Sequence, residues 1–215
     1  GTKFSISYKN HTQQIESTLI GRFNVQNILS AYTAGIGLGI EPQKLAEGVA
    51  HPRVVRGRFE QIVSPDGWIA VVDYAHTHDA LENCLRAIHD ILPKVECGRI
   101  ITVFGAGGNR DKGKRPKMGR VATELSDIVI ITTDNPRHEN PITIAEEIEA
   151  GCLADKTVHV EPDRRKAIAL ALGFARRGDV VLLAGKGHEN YQVIGDTKVH
   201  LDDREEVETF IRSRR

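Results

Sequence analysis

Two hydrophobic patterns alternate along the chain after about residue 57. Short runs rich in Val and Ile, such as Ile128–Ile131, predict buried strands. Longer segments carry apolar residues on one face and predict helices. In the clearest of these helices the apolar positions recur at the spacing of successive turns: Leu81, Leu85, Ile88 and Leu92. Strands that alternate with helices of this length predict an α/β fold, with a mostly parallel sheet covered by helices on both faces.

The first part of the chain has a weaker pattern. Phe4–Tyr8 alternates like an edge strand that turns at Asn10, and Asn24 is expected to cap a helix. These strands have no obvious partners. We therefore expect residues 1–56 to be the end of a larger domain, and residues 57–215 to form a second domain.

The helices of the second domain are predicted to start where suitable first-turn or capping residues occur. Pro116 suits the first turn of one helix, and another is expected from Thr143. Asp203 and Glu206 have the spacing of a capping box and should start the last helix. Pro65–Gly67, between two apolar runs, predicts a hairpin at the start of the sheet.

Composition narrows the class of protein. The chain is 40% hydrophobic and 27% charged, which is ordinary for a globular protein. Lys+Arg and Asp+Glu both total 29, and this zero net charge argues against a nucleic-acid partner. Cys84, Cys97 and Cys152 are odd in number and lack C-x-x-C spacing, so neither disulfides nor a zinc site is expected. Without a long apolar run or a signal-peptide pattern, we expect a cytoplasmic protein that does not insert into membranes.

The most informative loop follows the strand Ile128–Ile131 and contains Asp134, Asn135, Pro136 and Arg137. Open α/β sheets bind their ligands at the carboxyl ends of their strands. An arginine can donate two N–H groups to a carboxylate, and an asparagine amide can donate a further one. The loop therefore suits a charged small molecule. Taken alone, it is equally compatible with a polar turn that carries a solvated arginine.

A glycine-rich loop, residues 105–115, follows the preceding strand. Its Gly108–Lys114 part has the glycine and lysine spacing of a P-loop. Arg115, however, stands where a Ser or Thr hydroxyl must reach magnesium, and an arginine cannot ligate a cation. We expect a loop whose amides and basic side chains, Arg110 among them, suit an anion. A kinase or NTPase that uses this loop is an alternative function, and a solvated basic loop is the simpler alternative.

Two further loops complete the candidate site. Asp73 and His76 follow a strand, where a carboxylate could hold a ribose hydroxyl or help to position a metal-bound phosphate. His76 and His78 have no third ligand at metal-like spacing, so zinc is not expected. After another strand, Gly185 allows the backbone to approach a ligand, and Glu189 can bind an ammonium group. Arginines for carboxylates and a glutamate for an amine predict an amino-acid site, which a non-catalytic binding module would share.

Five motifs in this order resemble the Mur ligases, from about residue 19 to the end of the chain. They are Gly21–Asn27, Gly57–Glu60, Asp73–Thr77, Asp134–Arg137 and Gly185–Glu189. One departure is His78, where the family usually has proline. The resemblance implies that residues 1–56 end the central ATP-binding domain. Residues 57–215 would then be the C-terminal domain, with a Rossmann-like, doubly wound sheet that binds the incoming amino acid.

The resemblance also implies an activity. It points to an ATP-dependent ligase that adds meso-2,6-diaminopimelate to UDP-N-acetylmuramoyl-L-alanyl-D-glutamate in peptidoglycan precursor synthesis. Such an enzyme forms an acyl phosphate on the D-glutamate side chain, which the amine then attacks. The implied cofactors are ATP and Mg²⁺, held mainly by a phosphate loop that is not among these 215 residues. We therefore expect this chain alone to be inactive, and the implied enzyme to be a monomer.

Matching positions receive roles from the same resemblance. The residues implied to bind diaminopimelate are Arg110, Asp134, Asn135, Pro136, Arg137, Gly185 and Glu189. Those implied to lie near the nucleotide are Arg58, Asp73 and His76; no catalytic residue or metal ligand is implied. Diaminopimelate differs from lysine by one carboxylate, which Arg137 suits, and lysine-adding members lack this arginine. The same arginine disfavours a related ligase such as folylpolyglutamate synthase.

Overall fold

The computed structural model describes four stretches of the chain, residues 1–9, 11–50, 55–91 and 98–214. The chain divides into two compact units, Gly1–Val54 and Val55–Arg215, where the sequence predicts a boundary near Arg56. Asn10 and Leu92, predicted to lie in a turn and on a helix face, fall outside the described residues. Which ligase domain each unit represents stays a prediction.

The Gly1–Val54 unit combines a hairpin with two helices. Its elements are β1 (Thr2–Tyr8), β2 (His11–Ser17), α1 (Arg22–Gly37) and α2 (Pro42–Ala50). The two strands are antiparallel, so alternate side chains share one face. That face packs on α1 in a small apolar core formed by Ile6, Ile15, Ile28 and Tyr32.

The start of α1 differs from the prediction. Asn24 does not cap this helix, which begins directly after Gly21. Gly21 has φ 94°, a left-handed conformation that glycine adopts without steric cost, and this lets the helix start one turn earlier. The Asn24 side chain instead donates to the Ile20 carbonyl at 2.7 Å, inside the first turn.

The Val55–Arg215 unit is built around one six-stranded sheet. Its strands are β3 (Glu60–Val63), β4 (Ile69–Asp73), β5 (Ile100–Phe104), β6 (Ile128–Ile131), β7 (Thr157–Val160) and β8 (Val180–Ala184). They lie in the order β3-β4-β8-β5-β6-β7. Only β3 is antiparallel to its neighbour, and the other pairs are parallel. The predicted mostly parallel sheet is confirmed.

Helices cover both faces of this sheet. They are α3 (His78–Ile91), α4 (Lys114–Leu125), α5 (Pro141–Glu149), α6 (Arg164–Phe174) and α7 (Asp203–Ser213). α6 and α7 pack on one face, and α3, α4 and α5 pack on the other. Every residue of β5 and β8 is buried, as a sheet covered on both faces requires. Within the described ranges no helix is long and apolar enough to cross a membrane.

The structure confirms the predicted start of α7 at Asp203, and it corrects the cap of that helix and the starts of two others. The cap of α7 is Asp202, whose carboxylate accepts hydrogen bonds from two first-turn amides. Asp203, the predicted cap, is fully buried and forms an ion pair with Arg164. α4 and α5 each begin two residues before the predicted Pro116 and Thr143. Asp202 and Asp203 are neighbouring candidates for the same cap, and the ion pair of Asp203 with Arg164 decides between them. Offsets of two residues at the other two helices are within the usual spread of helix boundaries.

A second hairpin follows the sheet strands. It consists of β9 (Tyr191–Ile194) and β10 (Thr197–His200), which are antiparallel. The hairpin lies against the loop after β6, where the Arg137 amide donates to the Val193 carbonyl at 3.1 Å. It therefore supports the loop that the sequence singles out.

Candidate functional site

Four loops meet at the carboxyl edge of the sheet, one after each of β4, β5, β6 and β8. The strand order reverses there, because β6 and β7 continue outward from β5 while β8 returns between β4 and β5. Ligands of open α/β sheets bind at such a reversal. Side chains from all four loops line an open cleft of about 410 Å³. Most predicted site residues line it: His76, Arg110, Asp134, Asn135, Arg137, Gly185 and Glu189.

A network of polar and charged side chains, buried except for the partly exposed Glu189, closes one side of the cleft. This cleft floor, as we call it, consists of Asp134, Asn135, Lys186 and Glu189. Lys186 is completely buried, and its ammonium lies 3.1 Å from Glu189 Oε2. The same ammonium lies 3.2 Å from Asn135 Oδ1 and 3.4 Å from Asp134 Oδ1. Asn135 Nδ2 donates to Glu189 Oε2 at 2.9 Å, while Glu189 Oε1 makes no hydrogen bond with any described residue.

Arg137 is held in place through its backbone and one side-chain nitrogen. Its φ of 52° is unusual for a residue with a side chain. The β9–β10 hairpin maintains it, since the Gly195 amide donates to the Arg137 carbonyl at 2.7 Å. Arg137 Nη1 donates to the Gly108 carbonyl at 2.8 Å. Nε and Nη2 form no hydrogen bond within the described stretches, so one edge of the guanidinium is available.

A second group of residues, the cleft rim, is more open to solvent. It consists of Tyr74, His76 and Arg110, which line the cleft, and of Arg58, which does not line it but contacts the Tyr74 ring. The Arg58 guanidinium lies 5.0 Å from the centre of the Tyr74 ring, and the His76 ring lies 4.7 Å from the same ring. Arg58, His76 and Arg110 are exposed. Burial, reinforced by the two carboxylates of the floor, raises the pKa of Tyr74 above its ordinary value.

Two amides of the glycine-rich loop, those of Gly108 and Gly113, are occupied by partners within the protein; whether the loop binds an anion stays a prediction. The Gly108 amide donates to the Asn135 carbonyl at 2.9 Å. The Gly113 amide donates to the Asp111 carboxylate at 2.8 Å. The loop also brings charged side chains to the cleft, and Arg110 is one of them.

Arg115 explains why the P-loop spacing does not signify a P-loop. Its side chain is fully buried and forms ion pairs with Glu139 at 3.0 Å and Glu147 at 2.6 Å. The hydrogen bond from Arg115, with another from the Asn109 amide, lowers the pKa of Glu139 to about 2. Arg115 thus ties the start of α4 to α5 and to the loop before α5, which argues against the kinase alternative.

Three predicted residues do not line the cleft. Pro136 packs against the glycine-rich loop so closely that a Cβ on Gly108 would lie 1.9 Å from the Pro136 oxygen. Asp73 ends β4, and its carboxylate accepts a hydrogen bond from the Phe59 amide at 2.7 Å. Burial raises the pKa of Asp73. Arg58 precedes Phe59 and reaches the cleft through the Tyr74 ring.

Sequence reasoning missed several residues of the cleft, among them Tyr74, Lys114 and Lys186. Lys114 Nζ donates to the His76 carbonyl at 2.7 Å and so connects the glycine-rich loop to the loop after β4. Burial is the main cause that lowers the pKa of Lys114. The flanking glycines of Lys186 were a signal of a constrained backbone, but Asp134, one of its two carboxylate partners, is 52 positions away.

The parallel sheet and its charged cleft define a ligand-binding α/β protein. A family profile described as "Mur ligase, glutamate ligase domain" matches residues 57–187. The chain belongs to the Mur ligase family. This confirms the family predicted from the five motifs.

Relatives within the family cover nearly all of this chain. It is 46% identical over 205 residues to a UDP-N-acetylmuramoyl-L-alanyl-D-glutamate--2,6-diaminopimelate ligase of Solibacter usitatus, covering 95% of this chain and 41% of the relative. It is 51% identical over 191 residues to the ligase of the same name from Parabacteroides distasonis, covering 87% and 39%. The chain therefore spans about two fifths of the length of these relatives.

Solved structures give the same result for the fold. One structure of a UDP-N-acetylmuramoyl-L-alanyl-D-glutamate--2,6-diaminopimelate ligase has a TM-score of 0.70 and 37% identity, and the match covers 99% of this chain and 43% of that one. The structure of Escherichia coli FolC in complex with ADP shares the fold at 21% identity, with a TM-score of 0.63 over 84% of this chain and 40% of that one.

Proposed function

We propose that this chain is the amino-acid-binding portion of an ATP-dependent ligase that joins meso-2,6-diaminopimelate to UDP-N-acetylmuramoyl-L-alanyl-D-glutamate. One observation carries the proposal: a single cleft is lined by a pre-oriented guanidinium, Arg137, and by a carboxylate with an open oxygen, Glu189. Diaminopimelate has two carboxylates and two amino groups, so it needs partners of both charges. The names of the relatives support this choice of substrates.

Arg137 suits the carboxylate that distinguishes diaminopimelate from lysine. Its open edge, Nε and Nη2, can donate two parallel hydrogen bonds to one carboxylate. The Gly108 carbonyl already fixes Nη1 at 2.8 Å. Little side-chain freedom is then lost on binding, and this pre-orientation favours affinity. Arg110, exposed at the rim, supplies a second cation for the other carboxylate.

Glu189 suits an amino group of the same substrate. Its Oε2 atom is held by Asn135 and Lys186, so Oε1 is the atom that would accept a hydrogen bond from the ligand. Asn135 was expected to donate to a substrate carboxylate. We propose instead that it contributes by orienting Glu189, while Asp134, Pro136 and Gly185 shape the surrounding loops.

The rim would face the nucleotide. Arg58 and His76 are exposed side chains whose chemistry fits phosphate or an adenine ring. Asp73 would act by fixing the Arg58–Phe59 turn through the Phe59 amide. ATP, when bound, supplies the phosphoryl group that activates the D-glutamate side-chain carboxylate. Mg²⁺ would accompany ATP; in the described part of the chain no three His, Cys, Asp or Glu side chains gather to hold a metal ion.

The wider role follows from the same substrates. We propose a cytoplasmic, monomeric enzyme of peptidoglycan precursor synthesis, and hence of cell-wall biogenesis, cell shape and cell division. Neither nucleic acid nor a membrane is proposed as a partner. Residues 1–56 would complete the central ATP-binding domain, and residues 57–215 would be the C-terminal domain. The 215-residue chain by itself should have neither ligase nor ATPase activity.

The test is a substrate comparison with the full-length ligase that contains this chain. ADP release is measured with ATP, UDP-N-acetylmuramoyl-L-alanyl-D-glutamate and either meso-diaminopimelate or lysine. We expect kcat/KM for diaminopimelate to exceed that for lysine by about a hundredfold or more, since the site leaves Arg137 unpaired with lysine. Equal use of both amino acids would contradict the proposal. Binding without any turnover would favour a non-catalytic module.

A further inference from the structure

Lys186 is the most completely enclosed charged residue of the cleft, and the proposed ligand contacts give it no role. The glycines on both sides adopt left-handed conformations, with φ 112° at Gly185 and 52° at Gly187. A Cβ on Gly187 would lie 2.7 Å from both the Gly57 oxygen and Tyr74 Cβ. Close packing therefore fixes the backbone of Lys186 and directs its side chain into the cleft floor.

The contacts of the ammonium account for all of its donor capacity. An ammonium has three N–H groups, and three oxygens surround this one, on Asp134, Asn135 and Glu189. The Tyr191 ring lies 5.7 Å from the same nitrogen. A buried charge is tolerated only when it is paired in this way. No donor of Lys186 is left for a ligand, so it does not act by touching the substrate.

The effect of Lys186 on its neighbours is specific. It offsets one of the two negative charges of the floor, so that one remains. Lys186 and Asn135 both donate hydrogen bonds to Glu189 Oε2, so only Oε1 is open to a ligand. An incoming amino group therefore meets one oriented oxygen and one unit of negative charge, whereas an uncompensated pair of carboxylates would also attract protons or inorganic cations.

We propose that Lys186 is a positioning residue that sets the amino-group specificity of the cleft by orienting Glu189 and balancing Asp134. This inference rests on the proposed function, in which Glu189 binds an amino group. A residue that served only stability would affect all substrates alike. A residue that orients Glu189 affects the amino acid in particular, and its loss is partly repaired when the charge of the floor is rebalanced.

The experiment uses the full-length ligase and three variants. Lys186→Met removes the ammonium and keeps the length of the side chain. Lys186→Met combined with Asp134→Asn removes one charge of each sign, so that the floor keeps one negative charge. Lys198→Met is the matched control, because Lys198 is exposed yet lies 4.4 Å from the centre of the same Tyr191 ring. KM is measured separately for diaminopimelate, ATP and the UDP-linked acceptor.

We expect Lys186→Met to raise KM for diaminopimelate by about ten- to a hundredfold, the effect of losing a charged hydrogen bond. KM for ATP and the acceptor should change less than about threefold, as should all three values in Lys198→Met. The double variant should recover at least about threefold of the loss. Should the single variant fail to fold, the double variant, whose floor keeps the net charge of the wild type, is compared with the wild type directly. A rise of KM confined to diaminopimelate supports the inference, and an equal rise for all three substrates overturns it.

Two results would overturn the inference. One is an equal rise of KM for all three substrates in Lys186→Met, and the other is an amino-acid KM in the double variant no better than in the single one. The substrate proposal fails separately. If the wild-type ligase consumed a different amino acid, diaminopimelate would be the wrong substrate, and the same comparison made with that amino acid would still decide the role of Lys186.

Discussion

The floor and the rim of the cleft carry similar chemical groups in very different surroundings. The Lys186 ammonium of the floor is fully buried and has three oxygen partners. The Arg58 guanidinium of the rim is exposed and rests on the Tyr74 ring. Charges are costly to bury and strongly coupled once buried, but hydrated charges change partners at little cost. The floor is therefore organised before the ligand arrives, while the rim can adapt to it.

This contrast suggests different functions for the floor and the rim. A fixed floor suits discrimination between amino acids, because a wrong ligand leaves its oriented groups unpaired. A hydrated rim suits a nucleotide that must bind and leave in each turnover. Substitutions in or beneath the floor should therefore have large effects, and substitutions at the rim should have small ones.

The largest effect is expected beneath the floor, in the buried pair of Arg164 and Asp203. Arg164 Nη2 donates to Asp203 at 2.7 Å and to the carbonyl of Ala184, directly before Gly185, at 3.1 Å. Asp203→Asn leaves the Arg164 charge buried without a counter-charge, and should destabilise the chain by about 3–5 kcal/mol. Urea unfolding followed by the fluorescence of Trp68, the single tryptophan, measures this.

A neighbouring pair provides the control for that experiment. Arg165 and Glu206 join the same two helices, but Arg165 is 47% exposed. Glu206→Gln should cost less than about 1 kcal/mol, as exposed ion pairs generally do. If both variants shifted the unfolding midpoint by the same amount, the buried pair would have no special role in supporting the floor.

A smaller effect is expected at the rim. Arg58→Ala in the full-length ligase should raise KM for ATP by about two- to fivefold, the effect of losing one exposed charge contact. KM for diaminopimelate should stay within experimental error. Arg86→Ala, which removes an exposed arginine paired with Glu82 on α3, serves as the control. If only the KM for diaminopimelate rose, Arg58 would contact the amino acid and not the nucleotide, and its assignment would be wrong.

The smallest effect concerns acid sensitivity. The pKa of Glu139 is lowered from 4.5 to about 2, chiefly by the hydrogen bond from Arg115. A lowered pKa means that the ionised carboxylate stabilises the fold above pH 4.5, and that this contribution is lost as the pH falls towards 2. Glu139→Gln cannot titrate. Its melting temperature should therefore be below that of the wild type at pH 6 and should converge with it near pH 2.

Glu124→Gln is the control for this pH series. Glu124 pairs with Arg120 on the surface of α4, and 41% of its side chain is exposed. The variant should follow the wild type across the whole pH range. A constant difference between Glu139→Gln and the wild type from pH 6 to pH 2 would show that the carboxylate charge of Glu139 does not stabilise the fold.

The sheet could be predicted because each of its strands is recognisable from a short stretch of sequence. Each is a short apolar run, such as Ile128–Ile131, and the alternation with helices fixes the class of fold. The parallel arrangement also places Asp134 and Glu189 at the same edge of the sheet, because the carboxyl ends of parallel strands lie on one side. Their side chains could therefore be assigned to one cleft without knowledge of any contact.

Other features depend on contacts that no local pattern encodes. Asp202 and Asp203 are both suitable helix caps. Asp203 forms an ion pair with Arg164, so its carboxylate is not available to cap the helix. The Gly108 amide looked available because the Asn135 carbonyl that accepts from it lies on another loop. Lys186 could not be recognised for the same reason, since two of its three partners, Asp134 and Asn135, lie on another loop.

The central claim is that Arg137 selects a ligand with a second carboxylate. The direct measurement is kcat/KM for meso-diaminopimelate and for lysine, with the wild-type full-length ligase and with Arg137→Ala. Diaminopimelate should lose about ten- to a hundredfold, equivalent to about 1.5–3 kcal/mol, while lysine should lose far less or gain. Arg137→Lys should restore little, because an ammonium cannot make the planar, two-pronged contact. If both amino acids lost the same factor, Arg137 would serve only to support its loop, and the proposed substrate would be wrong.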